Sequence, residues 1–278
     1  MAEENQSALR RRSELLWSSD ARPSRGPKRT STAEDVVQAA IRLADREGLA
    51  ALTMQAVAQE VGFTAMALYR YFPNKEALID AIVDAAMGTP PERSGPPGPW
   101  RAEIARWAHA KRAMLMARPW LAELPFVAAP HGPNWLSWLE GAVEALSLTG
   151  LGATDVFDML HVLDGYVRGG SDTSVSLAKA RARGMSDEQW GASVAADLMR
   201  AIGDPRYPVL SALLVAGRER PAALTSGGLM DALDEGFDLG LQRVLDGIQS
   251  YIESRSTATA RSSDRSPRSR PARSRPRG

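Results

Sequence analysis

The chain has 278 residues, no cysteine and 44% hydrophobic residues. The absence of cysteine excludes disulfides, thiol nucleophiles and cysteine-ligated metal sites. No apolar run approaches the roughly 18 residues of a membrane-spanning helix, and the N-terminus lacks the apolar core of a secretory signal. We therefore expect a cytoplasmic protein that has no contact with membranes.

The net charge of +1 conceals three blocks of different sign. Residues 1–30 sum to +3, residues 254–278 to +7, and the residues between them to −9. The first block is predicted to be a flexible basic arm. The last block is rich in Arg, Ser and Pro and holds little apolar surface, so it is predicted to be disordered. It either binds phosphates without sequence preference or is simply solvated.

Between these ends the apolar residues recur at helical spacing and show no alternating strand pattern, so the predicted fold class is all-α. Residues 31–87 are predicted to form one domain of four helices, each preceded by a side chain that can cap it. The caps and helices are Thr32 before 33–47, Thr53 before 54–61, Thr64 before 65–72, and Asn74 before 75–87.

Residues 88–99 form a connector with five prolines and three glycines. The second domain, 100–253, is predicted to be one helical bundle with two shorter pieces near Trp120 and Val209. Its helices are expected at 100–117, 134–148, 155–181, 187–202 and 229–254. The apolar stripe of the last helix is long enough to serve both a core and a partner helix, which favours a homodimer.

The second and third helices, joined by a turn at Gly62, have the lengths of a helix-turn-helix. The segment LTMQAVAQEVGFTAMALYRYFPNKEALIDAIV, from Leu52 to Val83, resembles the DNA-binding domain of the TetR family of transcriptional regulators. The region from Trp100 to Tyr251 is similar to the ligand-binding and dimerisation domain of the tetracycline-repressor-type subgroup. The motifs that carry this second resemblance are RPWLAEL, GPNWL, GYVRG and FDLGLQRVLDGI.

The resemblance implies an N-terminal three-helix helix-turn-helix domain followed by a larger helical bundle. It also implies a homodimeric repressor that a small-molecule effector releases from a palindromic operator in double-stranded DNA. An activator, or a regulator without a small ligand, belongs to the same class. The alternative from another class is a helical ligand-binding or protein-binding module without specific operator recognition.

The third predicted helix has two sides with different roles. Ala65, Leu68 and Phe72 have the spacing of core positions, whereas the opposite side offers side chains that reach base edges or phosphates. The resemblance places Thr53, Tyr69, Tyr71 and Lys75 near phosphates. Thr53 also serves as a cap, and the two tyrosines also suit simple packing. The candidate DNA-binding residues are Arg25, Lys28, Arg29, Thr53, Thr64, Ala65, Met66, Ala67, Tyr69, Arg70, Tyr71 and Lys75.

The charge of the first domain is unusual for a DNA-binding unit, because residues 31–87 sum to −4. A basic segment precedes this domain, and we expect it to compensate by lying in the minor groove. Its basic residues are Arg22, Arg25, Lys28 and Arg29. The acidic charge equally supports the alternative of a binding module without operator recognition.

Six of the seven tryptophans follow the connector, which favours an apolar effector pocket in the second domain. Any single aromatic is more often a core residue. His161, Asp164 and Arg168 share one helix face, either as a polar lining or as a solvated face, and Asn134 is expected first of all as a helix N-cap. The candidate ligand-binding residues are Trp107, His131, Asn134, Trp138, His161, Asp164 and Arg168.

The chain has no HExxH, GxSxG or Walker pattern, and its three histidines are scattered. We therefore predict that the protein is not an enzyme, has no cofactor and has no metal site.

Overall fold

The structure is a computed structural model that describes residues 2–18, 32–93, 95–124, 131–216 and 229–264. Within these ranges the chain is helical and has no strand, which confirms the all-α prediction. The α-helices are α1 (Ala2–Ser18), α2 (Ala33–Glu47), α3 (Met54–Glu60), α4 (Ala65–Leu68), α5 (Lys75–Met87), α6 (Trp100–Ala117), α7 (Pro133–Ser147), α8 (Ala153–Ala182), α9 (Asp187–Met199), α10 (Pro208–Ala216) and α11 (Leu229–Asp264).

The helices of the first domain begin at the four predicted caps. Thr32 forms a capping box with Asp35, in which each side chain accepts a hydrogen bond from the other residue's backbone N–H. Thr53, Thr64 and Asn74 each accept a hydrogen bond from the backbone N–H three residues further on. These bonds satisfy N–H groups that the first turn of a helix leaves without a partner.

Helix α4 is shorter than the predicted 65–72, because it ends at Leu68. Beyond Leu68 the backbone forms a hydrogen bond of the 3₁₀ type, in which the N–H of Tyr71 donates to the carbonyl three residues earlier, that of Leu68, at 2.9 Å. Phe72 remains in the core at 3% exposure. Pro73 follows with no N–H to continue the helix.

The second domain packs around α8, a helix of 30 residues that contacts α6, α7 and α11. Its core contains Ile104, Trp138, Leu163 and Leu241. The 3₁₀ helix Pro119–Glu123 follows α6 and packs on the first domain, since its Trp120 and Leu121 belong to the core of that domain.

Both ends of the chain differ from the predictions. Residues 2–18 were expected in a flexible arm, but they form α1, which packs on α5 with Leu16 buried. The prediction was wrong here because Leu16 and a buried ion pair of Arg12 offset the cost of ordering the helix. The basic residues Arg22, Arg25, Lys28 and Arg29 lie outside the described residues.

The predicted disordered tail began at residue 254, but α11 continues to Asp264. The continuation has local support, because Thr257 donates a hydrogen bond to the carbonyl of Glu253 and Arg255 pairs with Asp155 at 2.8 Å. The tail prediction was therefore wrong for 254–264, and residues 265–278 lie outside the described ranges. Among the described helices, none combines the length and the apolar character that crossing a bilayer requires.

Candidate functional site

The exposed side of α4 is the first candidate site. Leu68 is fully buried and seats the helix on the core, while Met66 on the other side is 78% exposed. Thr64 and Arg70 are also exposed. Ala65 packs against the core of the first domain. The structure thus brings three candidate residues to the surface and assigns Ala65 to the packed side, as its core spacing suggested.

The residues expected near phosphates surround this helix. Tyr69 is 47% exposed, and Lys75 is exposed at the start of α5. Tyr71 is half-buried, and its ring stacks on Phe63 with 6.1 Å between centroids. Thr53 is exposed and caps α3, yet a hydroxyl that accepts one hydrogen bond still has a proton to donate. Packing and capping therefore leave room for a phosphate contact at Tyr71 and Thr53.

The second candidate site is a cavity of about 200 Å³ between α1, α5, α6, α7 and α8. Another cavity of about 220 Å³ adjoins it, and both are lined by Met87, Lys111 and Trp135. Most of the other lining residues are apolar. In the first cavity they include Ile79, Val83, Met114, Leu115, Leu121 and Leu124. Such a cavity between helices, with a few placed polar groups, is the usual form of a small-molecule site.

Lys111 lies at the boundary of the two cavities and is only 3% exposed. Its ammonium group pairs with the carboxylate of Asp164 and lies 4.9 Å from the centroid of the Trp107 ring. Burial lowers the pKa of Lys111, and the attraction of Asp164 opposes this shift. The cavity wall therefore contains a cation whose charge is matched by a neighbouring carboxylate.

Asp84 of α5 supports the mouth of the first cavity. Its carboxylate accepts hydrogen bonds from the backbone N–H groups of Asn134, at 3.2 Å, and Trp135, at 2.9 Å, in the first turn of α7. Burial raises the pKa of Asp84, and these hydrogen bonds oppose the shift. His131 stacks on Trp135 with 3.7 Å between ring centroids, and burial lowers the pKa of His131.

The predicted ligand-binding residues fall into three groups. Trp107, Trp138, His161 and Asp164 line the second cavity, whereas His131 and Arg168 line the first. Asn134 lines neither cavity. Gly132 is the N-cap of α7 and Pro133 occupies the first helical position, so the prediction of Asn134 as the cap was wrong.

The side chain of Asn134 instead donates to the backbone carbonyl of Asp84 at 3.1 Å. The two tryptophans predicted to bind ligand also form structural hydrogen bonds. The indole of Trp107 donates to the carbonyl of Trp138, and that of Trp138 donates to the carbonyl of Gly88, each at 2.9 Å. Their rings therefore offer apolar surface, because their N–H groups are already used.

Sequence reasoning missed five charged wall residues of the first cavity: Arg12, Glu76, Asp80, Asp84 and Lys111. A signal was present for three of them, since Lys111 follows Trp107 by one helical turn and Asp80 and Asp84 lie on a face of α5 that packs inward. Within the described ranges, no group of three or more His, Cys, Asp or Glu residues is arranged to hold a metal ion.

Comparison with known proteins decides the family. Residues 36–82 match the model of the bacterial regulatory proteins of the tetR family, and residues 92–252 match the tetracyclin repressor-like C-terminal domain. The chain belongs to the TetR family of transcriptional regulators. This TetR-family chain is thus a DNA-binding regulator whose helix-turn-helix is α3 and α4, and its relatives are regulators rather than enzymes.

Relatives of this TetR-family protein extend over most of its length. The HTH-type transcriptional repressor DrrR1 of Streptomyces coeruleorubidus is 33% identical over 245 residues, which are 87% of this chain and 86% of that protein. A possible TetR family transcriptional regulator from Streptomyces coelicolor A3(2) is 28% identical, with a TM-score of 0.60 over 79% of this chain and 100% of that chain.

The apo structure of ActR from Streptomyces coelicolor has a TM-score of 0.64 over 82% of this chain and 99% of that chain. Its sequence identity is 22%, so this likeness concerns the fold alone.

Proposed function

We propose that this TetR-family regulator is a homodimeric repressor that reads a palindromic operator with α4 and leaves it when a small molecule fills the cavities. The observation that carries the proposal is the double role of α5. Leu78, Ile82 and Ala86 of this helix belong to the core of the first domain. Ile79 and Val83 of the same helix line the first cavity.

This arrangement couples the two sites through a single rigid element. A ligand that displaces α5 also displaces the core on which α4 rests, and so changes the separation of the two reading helices in a dimer. The ligand must bind the two arrangements with different affinity, and a coupling of about 1 to 3 kcal/mol is typical. Tight binding without such a difference leaves the operator affinity unchanged.

The walls of the cavities indicate the kind of effector. The charges of Lys111 and Asp164 compensate each other in an ion pair. The carboxylate of Asp84 accepts hydrogen bonds from backbone N–H groups of α7. Arg12, Glu76, Asp80, His131 and Arg168 also line the first cavity, and His161 lines the second. The rest of both walls is aromatic and aliphatic surface around Met87 and Trp135. We infer a small, largely apolar effector.

The exposed faces of α8 and α11 support the homodimer. These helices pack on each other, and their outer faces carry exposed glycines together with Val162, 49% exposed, and Leu239, 61% exposed. The exposed glycines are Gly165, Gly169, Gly236 and Gly247. Small residues allow two helix pairs to approach closely, and an isologous two-fold dimer requires a palindromic site.

The acidic first domain favours a second candidate function. Residues 31–87 sum to −4, and Arg46, one of the few cations there, is engaged by Glu60 at 3.1 Å. A helical binding module that has lost operator recognition has no need of positive charge. The repressor proposal needs the basic segment before α2, with Arg25, Lys28 and Arg29, to supply the phosphate contacts.

The experiment that decides between these functions is selection of bound sequences from a random duplex pool at two salt concentrations. A palindrome enriched at both salt concentrations is the expected result. Binding without enrichment that disappears at moderate salt would favour the module without operator recognition. The matched control is the Met66→Ala/Arg70→Ala variant, which lacks two exposed side chains of α4 and should lose enrichment while keeping its fold.

The contribution of the basic segment is measured separately. With the selected palindrome, the Arg25→Gln/Lys28→Gln/Arg29→Gln variant should bind more weakly and show a log-log salt slope lower by about one for each phosphate that the variant no longer neutralises. An unchanged slope would show that these residues do not touch DNA. Point substitution is preferable to truncation, because truncation also removes α1.

A further inference from the structure

We infer that α1 is a wall of the effector cavity and that Arg12, on this helix, determines which molecules enter it. The inference rests on the proposed function, since it concerns the same cavity. It goes beyond the family resemblance, because α1 precedes both segments that match the family models, 36–82 and 92–252.

The contact that holds α1 is bidentate. Nε of Arg12 donates to Oδ2 of Asp80 at 2.5 Å, and Nη2 donates to Oδ1 at 2.6 Å. The two side chains are 19% and 2% exposed. Paired charge-assisted bonds of this geometry are among the strongest hydrogen bonds in proteins, and a buried carboxylate deprived of its partner is costly. Asp80 therefore favours the docked position of α1.

Apolar contacts reinforce the same position. Leu16 is 6% exposed, and Leu15 packs against the core of the first domain. By contrast, Trp17 on the same helix is 44% exposed. One side of α1 therefore packs on α5, and the other side is exposed to solvent.

The docked helix lies at one end of the first cavity. Arg12, Glu76 and Asp80 line this end, whereas the remaining walls come from α5, α6, α7, α8 and the 3₁₀ helix. A molecule in the cavity meets α1 through Arg12, and removal of α1 would open the cavity at this end.

The chemistry of Arg12 restricts the ligand at this end. An anionic group that captured the guanidinium would leave the carboxylate of Asp80 buried without its partner, which opposes binding. A large molecule would have to displace α1 and break both bonds. The site at this end therefore favours small, uncharged, predominantly apolar molecules.

The absence of cysteine permits a direct test. Val83→Cys places a single thiol on the α5 wall of the first cavity. Its rate of reaction is measured with a small reagent, methyl methanethiosulfonate, and with a bulky one, fluorescein-5-maleimide. Both rates are compared in full-length protein with native Arg12, with Arg12→Gln, and with Arg11→Gln. The last variant is the matched control, because Arg11 is an exposed neighbour that loses the same charge.

We expect Arg12→Gln to raise the rate with the bulky reagent about tenfold, the size of effect that losing a hydrogen bond to a charged group has on a local opening equilibrium. Arg11→Gln should match the native rate. A second thiol, introduced by Leu139→Cys, lies on the second cavity, which α1 does not line, and its rate should be the same in all three backgrounds.

Two results would overturn the inference. One is an Arg12→Gln rate equal to the native rate at position 83, and the other is an equal rise at positions 83 and 139, which would mean general loosening. Arg12→Lys, which keeps the charge but loses the bidentate geometry, should give an intermediate rate and replaces Arg12→Gln should that variant not fold. The measurement involves neither operator nor effector, so its failure is separable from failure of the repressor proposal.

Discussion

The carboxylate of Asp84 accepts a hydrogen bond of 2.9 Å from the backbone N–H of Trp135. This bond joins α5, which carries part of the core of the first domain, to the first turn of α7, which borders the first cavity. A negative charge at a helix N-terminus is stabilised by the N–H groups that point at it. The Asp84 contact is therefore a specific link between the DNA-binding domain and the second domain.

Gly132 must remain without a side chain for this link to form. A Cβ at this position would lie 2.3 Å from Cγ of Asp84. We expect Gly132→Ala to lower the free energy of unfolding by about 1 to 3 kcal/mol, the usual cost of overpacking. Gly152→Ala is the control, since Gly152 is also a helix N-cap but has open space around it. Urea denaturation of both variants is the measurement, and equal midpoints would contradict the prediction.

The ion pair of Lys111 and Asp164 should show strong coupling in a double-mutant cycle. Lys111→Met leaves the carboxylate of Asp164, whose side chain is 14% exposed, without its ammonium partner. We expect a loss of about 3 kcal/mol in the free energy of unfolding. The variant Lys111→Met/Asp164→Leu should recover most of this loss, because the cavity wall is then apolar. If the two substitutions have additive effects, the pair is not coupled.

The same lysine should give the protein a recognisable pH dependence. Burial lowers the pKa of Lys111 below 10.5, so the unfolded chain binds more protons at this site than the folded one at pH values between the lowered pKa and 10.5. Stability linked to Lys111 therefore rises as the pH rises through this window. Urea denaturation at a series of alkaline pH values should show this rise in the native protein and not in Lys111→Met/Asp164→Leu. Parallel pH profiles of the native protein and this variant would contradict the assignment of the rise to Lys111.

Tyr71 and Lys75 are expected to position the protein on DNA without reading its sequence. Tyr71→Phe retains the ring that stacks on Phe63, so stability should stay within about 0.5 kcal/mol of the native value. The variant Tyr71→Phe/Lys75→Ala should bind all duplexes more weakly, and removal of the Lys75 charge should lower the salt slope by about one. Fluorescence anisotropy with the selected palindrome and its single-base variants measures both effects. Selective weakening at one base pair would assign these residues to base recognition instead.

Met66, in contrast, is expected to affect the choice of sequence rather than the binding of all duplexes. Its side chain is 78% exposed on α4, so Met66→Ala should change stability by no more than about 0.5 kcal/mol. An apolar contact with a thymine methyl would make the variant less selective, by about 1 kcal/mol, at one base pair of each half-site. Met185→Ala, at an exposed methionine of the second domain, is the control and should leave the selected sequence unchanged. Uniform weakening across all duplexes would argue against a base contact.

Local features of this chain were predictable because they depend on residues close together along it. The four caps of the first domain each bond to a backbone N–H three residues away, and helical periodicity repeats every three or four residues. The motif between Leu52 and Val83 placed the helix-turn-helix for the same reason. Even the errors at α4 and α7 concern a turn at a helix end, where competing local bonds are closely balanced.

The cavity and its connections were decided only by the tertiary structure. Arg12 and Asp80 are 68 residues apart, and Lys111 and Asp164 are 53 apart. No local pattern specifies such pairs, because they form only when helices pack at a particular angle and depth. The sequence predicted a helix over 75–87, and the structure shows that its buried face includes Ala77, Leu78 and Ile82. Only the packing of the helices determines that this face also contains two carboxylates. One of them binds α1 and the other binds α7, and both border an open cavity rather than a filled core.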